Sequence, residues 1–392
     1  MAKAKPTTSK SSEGKKKNPR PLTPANVQAK LNRLDRQLVA QLQERAKWSV
    51  RAARLAEAAP APAAPAPGAQ PPSLMAVAAA GAATEDLFQR VCSLSTGPLS
   101  PACLRAIFGE LLSGCRALVG VSKIALLGPL YSYSHLAAIQ RFGQSVQFVP
   151  VGNIAAVFEE VNRGHSNYGL VPIENSTDGR IADTLDMFTR LPVRICGEIE
   201  MRIHHTLLGK CPRSEVKEVY SKPQALSQCR NWLTKHLPGA RTIEVTSTTT
   251  AAQLAKEKPG AAAIASLQAG VFYGLDIVAE RIEDNSTNST RFAIIGSHTA
   301  ARTGHDKTAI LFQVEHRPGA LADAMNVFKR NHLNLTWIES FPIPDLVHAY
   351  LFFIEFEGHE TDSRVRRALA ALERRALRLE VLGCFPITPI AD

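Results

Sequence analysis

Apolar side chains recur at helical spacing near the start of the chain. Leu31, Leu34, Leu38, Leu42, Ala46 and Val50 fall on one face of a repeat of about 3.6 residues. Thr23-Pro24 marks its start, a hydroxyl cap followed by proline in the first helical position. The pattern predicts one long helix ending near Glu57. Between Pro60 and Pro72 alanine and proline replace the periodicity, and this stretch reads as the extended part of a linker over residues 58–82. Helical spacing returns over Thr84–Ser93 and, behind a Ser100 cap, over Pro101–Leu118. One long helix and two shorter ones bury little core by themselves, so residues 23–119 are expected to dimerise.

The texture changes at Lys123. Short apolar runs predict strands over Ile124–Leu127, Val146–Pro150, Tyr168–Pro172, Val193–Met201, Glu218–Ser221, Thr242–Val245 and Ala261–Ala265. Between them amphipathic spacing predicts helices over Ser134–Phe142, Ile154–Arg163, Ile181–Arg190, Pro223–Lys235 and Thr249–Glu257. This alternation predicts an α/β region with a largely parallel sheet and room for two lobes. Ligands in such sheets lie beyond the strand C-termini. The last segment reads differently: strand Thr308–Glu315, helix Gly319–Arg330, strands Leu335–Ser340 and Val347–Glu357, helix Asp362–Arg375 and strand Leu379–Leu382. That βαββαβ order is ferredoxin-like.

Composition narrows the function classes. Of the formal net charge of +11, a large part comes from residues 1–20, where seven basic residues meet one acidic one. No aromatic residue interleaves with these lysines, so residues 1–22 read as a disordered basic tail and no nucleic-acid partner is expected. Seven scattered cysteines without a CxxC pair suit reduced thiols. With no secretory signal and no apolar run long enough for a bilayer, the expected setting is cytoplasmic, with no membrane partner.

Two segments carry the candidate chemistry. Val171-Pro-Ile-Glu-Asn-Ser176 places a carboxylate, an amide and a hydroxyl in succession after an apolar run. Asn288-Ser-Thr-Arg-Phe292 sets a hydroxyl beside a guanidinium before another. Both read as strand ends, and Arg291 suits a carboxylate ligand. Each also has a plain reading, a helix cap for the first and a surface ion pair for the second. Ser221 and the Ser247-Thr-Thr-Thr250 run are placed to cap the helices that follow their strands. His204-His205 would face opposite sides of a strand with no third ligand at suitable spacing, so no metal is expected. Gly128-Pro129 lacks the glycines and lysine of a phosphate loop, and no cofactor is expected.

On these residues the chain resembles the prephenate dehydratases of the bifunctional type. The motifs that carry the resemblance are Gly128-Pro-Leu-Tyr-Ser-Tyr-Ser-His-Leu-Ala-Ala138, Pro172-Ile-Glu-Asn-Ser176, Ser221-Lys-Pro-Gln-Ala-Leu-Ser-Gln-Cys229 and Thr290-Arg-Phe292. The resemblance implies a multidomain chain. An all-α, chorismate mutase-like helical domain would cover residues 23–119. An α/β two-lobed dehydratase domain, similar to periplasmic binding proteins, would cover 121–298, and an α+β ferredoxin-like ACT regulatory domain 306–388. It implies that prephenate loses its ring hydroxyl and ring carboxylate to give phenylpyruvate, water and carbon dioxide. Thr290, Glu174 and Arg291 would then be catalytic, with Asn175, Ser176, Ser221, Gln228 and Phe292 binding substrate. L-Phenylalanine would act as effector at Gly319, Ala320, Leu321, Glu339 and Ser340, in a homodimer or homotetramer.

The chain departs from the family at several positions. Tyr131 stands where glycine is usual, Lys222 where histidine is common, and Phe341 where the effector motif has arginine. In the helical domain Leu31, Asp35, Leu38 and Arg45 fit the pattern. Gln28 and Ala56, however, replace an arginine and a lysine, Ala83-Thr84 fall at an Arg-Glu pair, and Val119 falls at a Gln or Glu. Arg45 is a mutase-like remnant, and the expectation is a degenerate mutase kept for dimerisation. Alternatives are a register shift in which Lys30, Arg51 or Arg54 restores both activities, arogenate as substrate, and a non-catalytic amino-acid sensor with an ACT domain.

Overall fold

A computed structural model describes residues 23–58, 87–177, 179–343 and 349–388. The basic tail, most of the linker and the start of the predicted Thr84–Ser93 helix lie outside the described residues. Two compact units divide at Trp48, within the first helix. That helix, α1, is unbroken from Pro24 to Ala58, and Thr23 Oγ1 accepts from Asn26 N at its start. Leu31, Leu34 and Leu38 on its apolar face are 47%, 46% and 55% exposed, so among the described residues the stripe is largely uncovered. Residues 87–93 form helix α2. Helix α3, Pro101–Ala117, starts as expected, with Ser100 Oγ accepting from Cys103 N.

Two mixed sheets follow, rather than a largely parallel one. The first contains β1 (Lys123–Leu127), β2 (Gln147–Val151), β3 (Tyr168–Asn175), β4 (Gly179–Arg180), β5 (Arg194–Arg202) and β11 (Ser289–Gly296), in the order β2-β1-β3-β11-β5 with β4 on β3. The second contains β6 (Thr206–Gly209), β7 (Glu218–Ser221), β8 (Arg241–Glu244), β9 (Ala261–Ala265) and β10 (Asp276–Ala279), in the order β10-β6-β9-β7-β8. β1 runs parallel to β2 and β3, and β7 parallel to β8 and β9, as βα alternation requires. The antiparallel pairs of β11 in the first sheet and of β6 with β9 in the second accompany the two crossings between sheets. The chain leaves the first sheet after β5, builds the second, and returns as β11, which inserts antiparallel between β3 and β5.

Helix α4 (Tyr133–Phe142) packs on one face of the first sheet, among Leu126, Leu170, Phe292 and Ile294. Helices α5 (Ile154–Asn162) and α6 (Ala182–Arg190) pack on the other, among Ala125, Val171 and Ile173. In the second sheet α7 (Pro223–Gln228) and α8 (Arg230–His236) replace the single helix expected over Pro223–Lys235. The break has a remote cause: the Asp284 carboxylate accepts from Asn231 N and Trp232 N, capping a new helix start. Helices α9 (Thr248–Glu257) and α10 (Leu267–Tyr273) complete this sheet's cover.

The last module keeps the βαββαβ order: β12 (Asp306–Gln313), α11 (Ala320–Arg330), β13 (Leu335–Pro342), β14 (Tyr350–Glu357), α12 (Ser363–Glu373) and β15 (Arg378–Pro386). Its antiparallel sheet runs β13-β14-β12-β15. One face packs on its own helices through Ile310, Phe312, Ile354 and Phe356. The other, through Ala309, Leu311, Phe353 and Phe385, joins the core that contains Ile195, Ala293 and Ile295 of the first sheet. The two sheets therefore share one apolar core. Among the described residues no helix is long and apolar enough to cross a membrane.

Gly383 of β15 sets the distance between these sheets. A Cβ there would lie 2.0 Å from the Ile195 carbonyl oxygen of β5, so backbone must move to admit any side chain. Gly383→Ala is expected to destabilise the protein by about 1–3 kcal/mol, the usual cost of overpacking. Urea denaturation checks this, and an unchanged midpoint would mean the two sheets yield easily.

Candidate active site

Strand alternation would place Glu174 on the same face of β3 as Leu170 and Pro172, and so beside Thr290. A β-bulge reverses this. Arg291 pairs with Glu174 and Phe292 with Pro172, so Ile173 is an extra residue on β3. Beyond it, Asn175 rather than Glu174 stands beside Thr290, and its Nδ2 donates to Thr290 Oγ1 at 2.9 Å. Glu174 turns to the opposite face and accepts from Arg291 Nε at 3.1 Å. The expected grouping of Glu174 with Thr290 is thus replaced by two separate clusters, one on each face.

On the Thr290 face a chain of hydrogen bonds crosses from the first sheet to the second. Thr177 N donates to Asn175 Oδ1, and Thr177 Oγ1 donates to Asn288 Oδ1 at 3.1 Å. Asn288 Nδ2 donates to Gln228 Oε1 at 3.1 Å, and His205 Nε2 meets the same oxygen at 2.9 Å. His205 Nδ1 lies 2.9 Å from Tyr133 Oη, which donates to the His204 carbonyl. Gln228 Oε1 can only accept, so the single proton of the neutral ring is on Nε2, and Nδ1 competes with the His204 carbonyl for the Tyr133 hydroxyl proton. Glu283 fixes this crossing, accepting from His205 N and pairing with His204 Nδ1 at 2.7 Å. Burial lowers the pKa of His205, outweighing the upward pull of Gln228 and Glu283, and keeps the ring neutral at ordinary pH.

Thr290 and Asn175 meet directly, and Gln228 joins them through Asn288 and Thr177. Ser176 lies on the other face with Glu174, its Oγ accepting from Ser289 N at 2.9 Å and lying 3.4 Å from Asn288 Oδ1. Ser221 does not cap α7: it is fully buried and donates to the Ile264 carbonyl. Phe292 is 2% exposed and packs in the core beside Ile294, so its ring fills space rather than meeting a ligand. Sequence reasoning missed Thr177, Asn288, Tyr133 and His205. Asn288 opened the motif that drew attention, and His205 was weighed only as a metal ligand. Among the described residues no cluster of three or more His, Cys, Asp or Glu side chains suits a metal ion.

Tyr131 adopts φ of +65°, a conformation that costs a side chain energy and explains why glycine suits the position. Here the backbone is held by His135 Nδ1, which accepts from Tyr131 N, and by Ser266 Oγ, which donates to its carbonyl. The ring stacks on Phe272 of α10 at 4.1 Å, joining the α4 loop to the second sheet's helices.

The opposite cluster is built around Arg291, which is 8% exposed. Its Nη1 donates to Glu198 of β5 at 3.2 Å and to Glu355 of β14 at 2.6 Å, in addition to the Glu174 contact. Its guanidinium lies 4.7 Å from the Trp337 ring, and Lys307 Nζ donates to both oxygens of Glu198. Burial opposes the Arg291 charge, but Glu355, Glu198 and Glu174 outweigh it and hold the guanidinium protonated. Arg291 spends its hydrogen bonds on the protein's own carboxylates, which corrects the expectation that it receives a substrate acid. The expected effector residues are also divided. Gly319, at φ of +80°, Ala320 and Leu321 open α11, whereas Glu339 and the Ser340 carbonyl on β13 are held by Arg180 Nη1, each at 2.9 Å.

With this geometry in hand, the comparisons are direct. The family model described as prephenate dehydratase matches residues 124–300. The chain belongs to the prephenate dehydratase family. A bifunctional chorismate mutase/prephenate dehydratase of Stutzerimonas stutzeri is 40% identical over 76% of this chain and 83% of its own length. One from Aquifex aeolicus is 37% identical over 92% of this chain and 97% of its own. A prephenate dehydratase from Arthrobacter aurescens, solved in complex with L-Phe, is 32% identical with a TM-score of 0.63, covering 68% of this chain and 90% of that one. Membership makes this dehydratase homologue a lyase.

The neutral His205 gives the cluster a pH signature. A histidine whose folded pKa is depressed stays unprotonated while the unfolded chain takes up a proton below about pH 6.5. Its contribution is therefore full above the unfolded pKa and is lost as pH falls through it. The stability advantage of the native protein over His205→Gln is expected to shrink between pH 7 and pH 5. A gap that stays constant in denaturation experiments at both pH values would show that the ring is not held neutral.

Proposed function

We propose that this chain carries out the decarboxylative dehydration of prephenate to phenylpyruvate, with the chemistry on the Thr290 face of the first sheet. The Asn175–Thr290 hydrogen bond carries this reading. Asn175 Nδ2 occupies a lone pair of Thr290 Oγ1 and leaves the threonine's own proton for another acceptor. The ring hydroxyl of prephenate is such an acceptor. As its C–O bond breaks it leaves as water, while the C–C bond to the ring carboxylate breaks and its electron pair completes the aromatic ring. Carbon dioxide departs, and a proton from water restores the Thr290 hydroxyl, so that prephenate and one proton give phenylpyruvate, water and carbon dioxide. Aromatisation supplies the driving force, and the protein's part is to orient the diacid and assist the leaving oxygen. Gln228 and Asn288, locked to His205, give the cleft a fixed polar wall. Glu174 and Arg291 act from behind, by holding β3 and β11 in register.

The helical domain is read as a degenerate mutase that serves dimerisation. Binding chorismate for rearrangement takes several cations and a hydrogen-bonding side chain. Gln28 Nε2 here donates to Asn32 Oδ1 on its own helix, at 3.0 Å. The uncovered leucine stripe of α1 suits pairing with a second copy in a homodimer or homotetramer. The relatives named as bifunctional enzymes favour the other reading, in which both activities persist. The final module is read as an ACT domain that senses L-phenylalanine, since a relative's structure holds that amino acid. Phe341 packs against the shared core and offers no charge, and Arg180 supplies Glu339 with a guanidinium from the dehydratase part instead.

Thr290→Ala is expected to lower turnover of prephenate by about 100-fold or more, in the range of a lost proton donor, while thermal unfolding stays unchanged. Retention of wild-type turnover would sink the assignment. Supplying arogenate in the same assay separates the two substrates. Added phenylalanine is expected to inhibit. Chorismate given to the full-length Thr290→Ala variant is expected to remain unconverted. Accumulated prephenate would show instead that the mutase is active.

A further inference from the structure

A cavity of about 230 Å³ lies on the face of β11 opposite Thr290, where the first sheet meets the ferredoxin-like sheet. The proposed dehydration does not use it. Its walls come from β3, β5 and β11 on one side and from β12, β13 and β14 on the other, and it is smaller than the pockets of roughly 300–1,000 Å³ that take drug-sized ligands. Its polar groups are unevenly matched. Of the donors that line it, Arg291 Nε and Nη1 are held by Glu174, Glu198 and Glu355, Lys307 by Glu198, and Ser289 Oγ by Glu200, while Ser176 and Thr336 add hydroxyls and Trp337 an indole N–H. Acceptors remain. Glu174 and Glu200 each use one carboxylate oxygen in these contacts. Glu355 is 1% exposed, lines the cavity, and its Oε1 has no hydrogen-bond partner. A buried carboxylate oxygen in that position costs free energy until a donor reaches it.

We infer that this cavity binds a small molecule through a primary ammonium group, whose three N–H donors satisfy Glu355, Glu174 and Glu200. The chemistry excludes other classes. An anion would meet three carboxylates, which outnumber the two cations beside them. A metal ion needs convergent ligands, and among the described residues no cluster of three or more suits one. An ammonium brings three donors and no acceptor, the complement of what the walls offer. Burial raises the pKa of the Glu355 carboxyl against the pull of Arg291, so a second cation would also relieve an unfavourable charge. The site is coupled to the cleft by chain connectivity. Glu174 precedes Asn175 and Arg291 follows Thr290, so an occupant that shifts the carboxylates shifts both strands that carry the Asn175–Thr290 pair.

The test uses the full-length protein and Trp337, which lines the cavity. Ethylammonium chloride, glycine and potassium chloride are titrated separately at matched ionic strength. Binding is followed by calorimetry and by tryptophan fluorescence, with Trp337→Phe to identify the signal against Trp48 and Trp232. Saturable binding of ethylammonium is expected, at least tenfold weaker in Glu355→Gln. A response to glycine as well would extend the ligand class to amino acids. Glu200→Gln, which leaves Glu355 and Arg291 in place, is expected to weaken binding several-fold and serves if Glu355→Gln does not fold. No saturable binding, an equal response to potassium, or undiminished affinity in both variants would overturn the inference. Binding is read without turnover, so a failure here is separable from a failure of the dehydratase reading. If binding holds, turnover of prephenate by the wild type is expected to change with ethylammonium occupancy and not with potassium.

Discussion

The buried guanidinium of Arg291 is the interaction on which this arrangement rests. One side chain on β11 holds carboxylates from β3, β5 and β14, and so ties two neighbouring strands and a second sheet to one point. Such a cluster is weak evidence for stability by itself, because desolvating four charged groups offsets much of their attraction. Its value is positional. Removing any one partner leaves a buried charge unmatched, so the strands are held in the one register that keeps all of them matched. Thr290, next in the chain, inherits that register on the opposite face.

The β-bulge at Ile173 makes the division of labour possible. A strand without it would put Glu174 and Thr290 together, and a carboxylate beside the proposed donor would compete for its proton. With it, an amide meets Thr290 and the carboxylate meets Arg291. A single extra residue therefore sorts two neighbouring side chains into a neutral hydrogen-bonded cleft and a charged junction. The neutral side extends through Asn288 and Gln228 to a histidine kept uncharged by burial. The charged side is shared with the ferredoxin-like module.

That module is not a loosely tethered appendage. Its sheet contributes to the same apolar core as β5 and β11, and Gly383 lets the two backbones approach without a side chain between them. The Glu355–Arg291 pair ties the module to β11, and Arg180, which holds Glu339 and the Ser340 carbonyl, ties it to β4. Both originate in strands that flank the cleft.

Much of the fold was legible in the sequence because it depends on local periodicity. The leucine spacing of α1, the hydroxyl cap of α3, the limits of β7 and β9 and the βαββαβ order of the last module follow from side-chain patterns that neighbours do not override. The motifs marked Thr290 with Glu174 and Arg291 as catalytic and Asn175 and Gln228 as substrate-binding, and they carried the family resemblance. What the sequence could not determine arises from partners distant in the chain. Asp284 splits the helix after Pro223 by capping a start that no local residue signals. The return of β11 between β3 and β5 makes the first sheet mixed, and the bulge reverses the facing of Glu174 and Asn175. Arg291 reads as a ligand-binding cation until Glu355, 64 residues away, and Glu198, 93 away, are seen to share its Nη1. Residue pattern decides which elements form; the pairing of charges and strand registers across the fold decides which face each functional group serves.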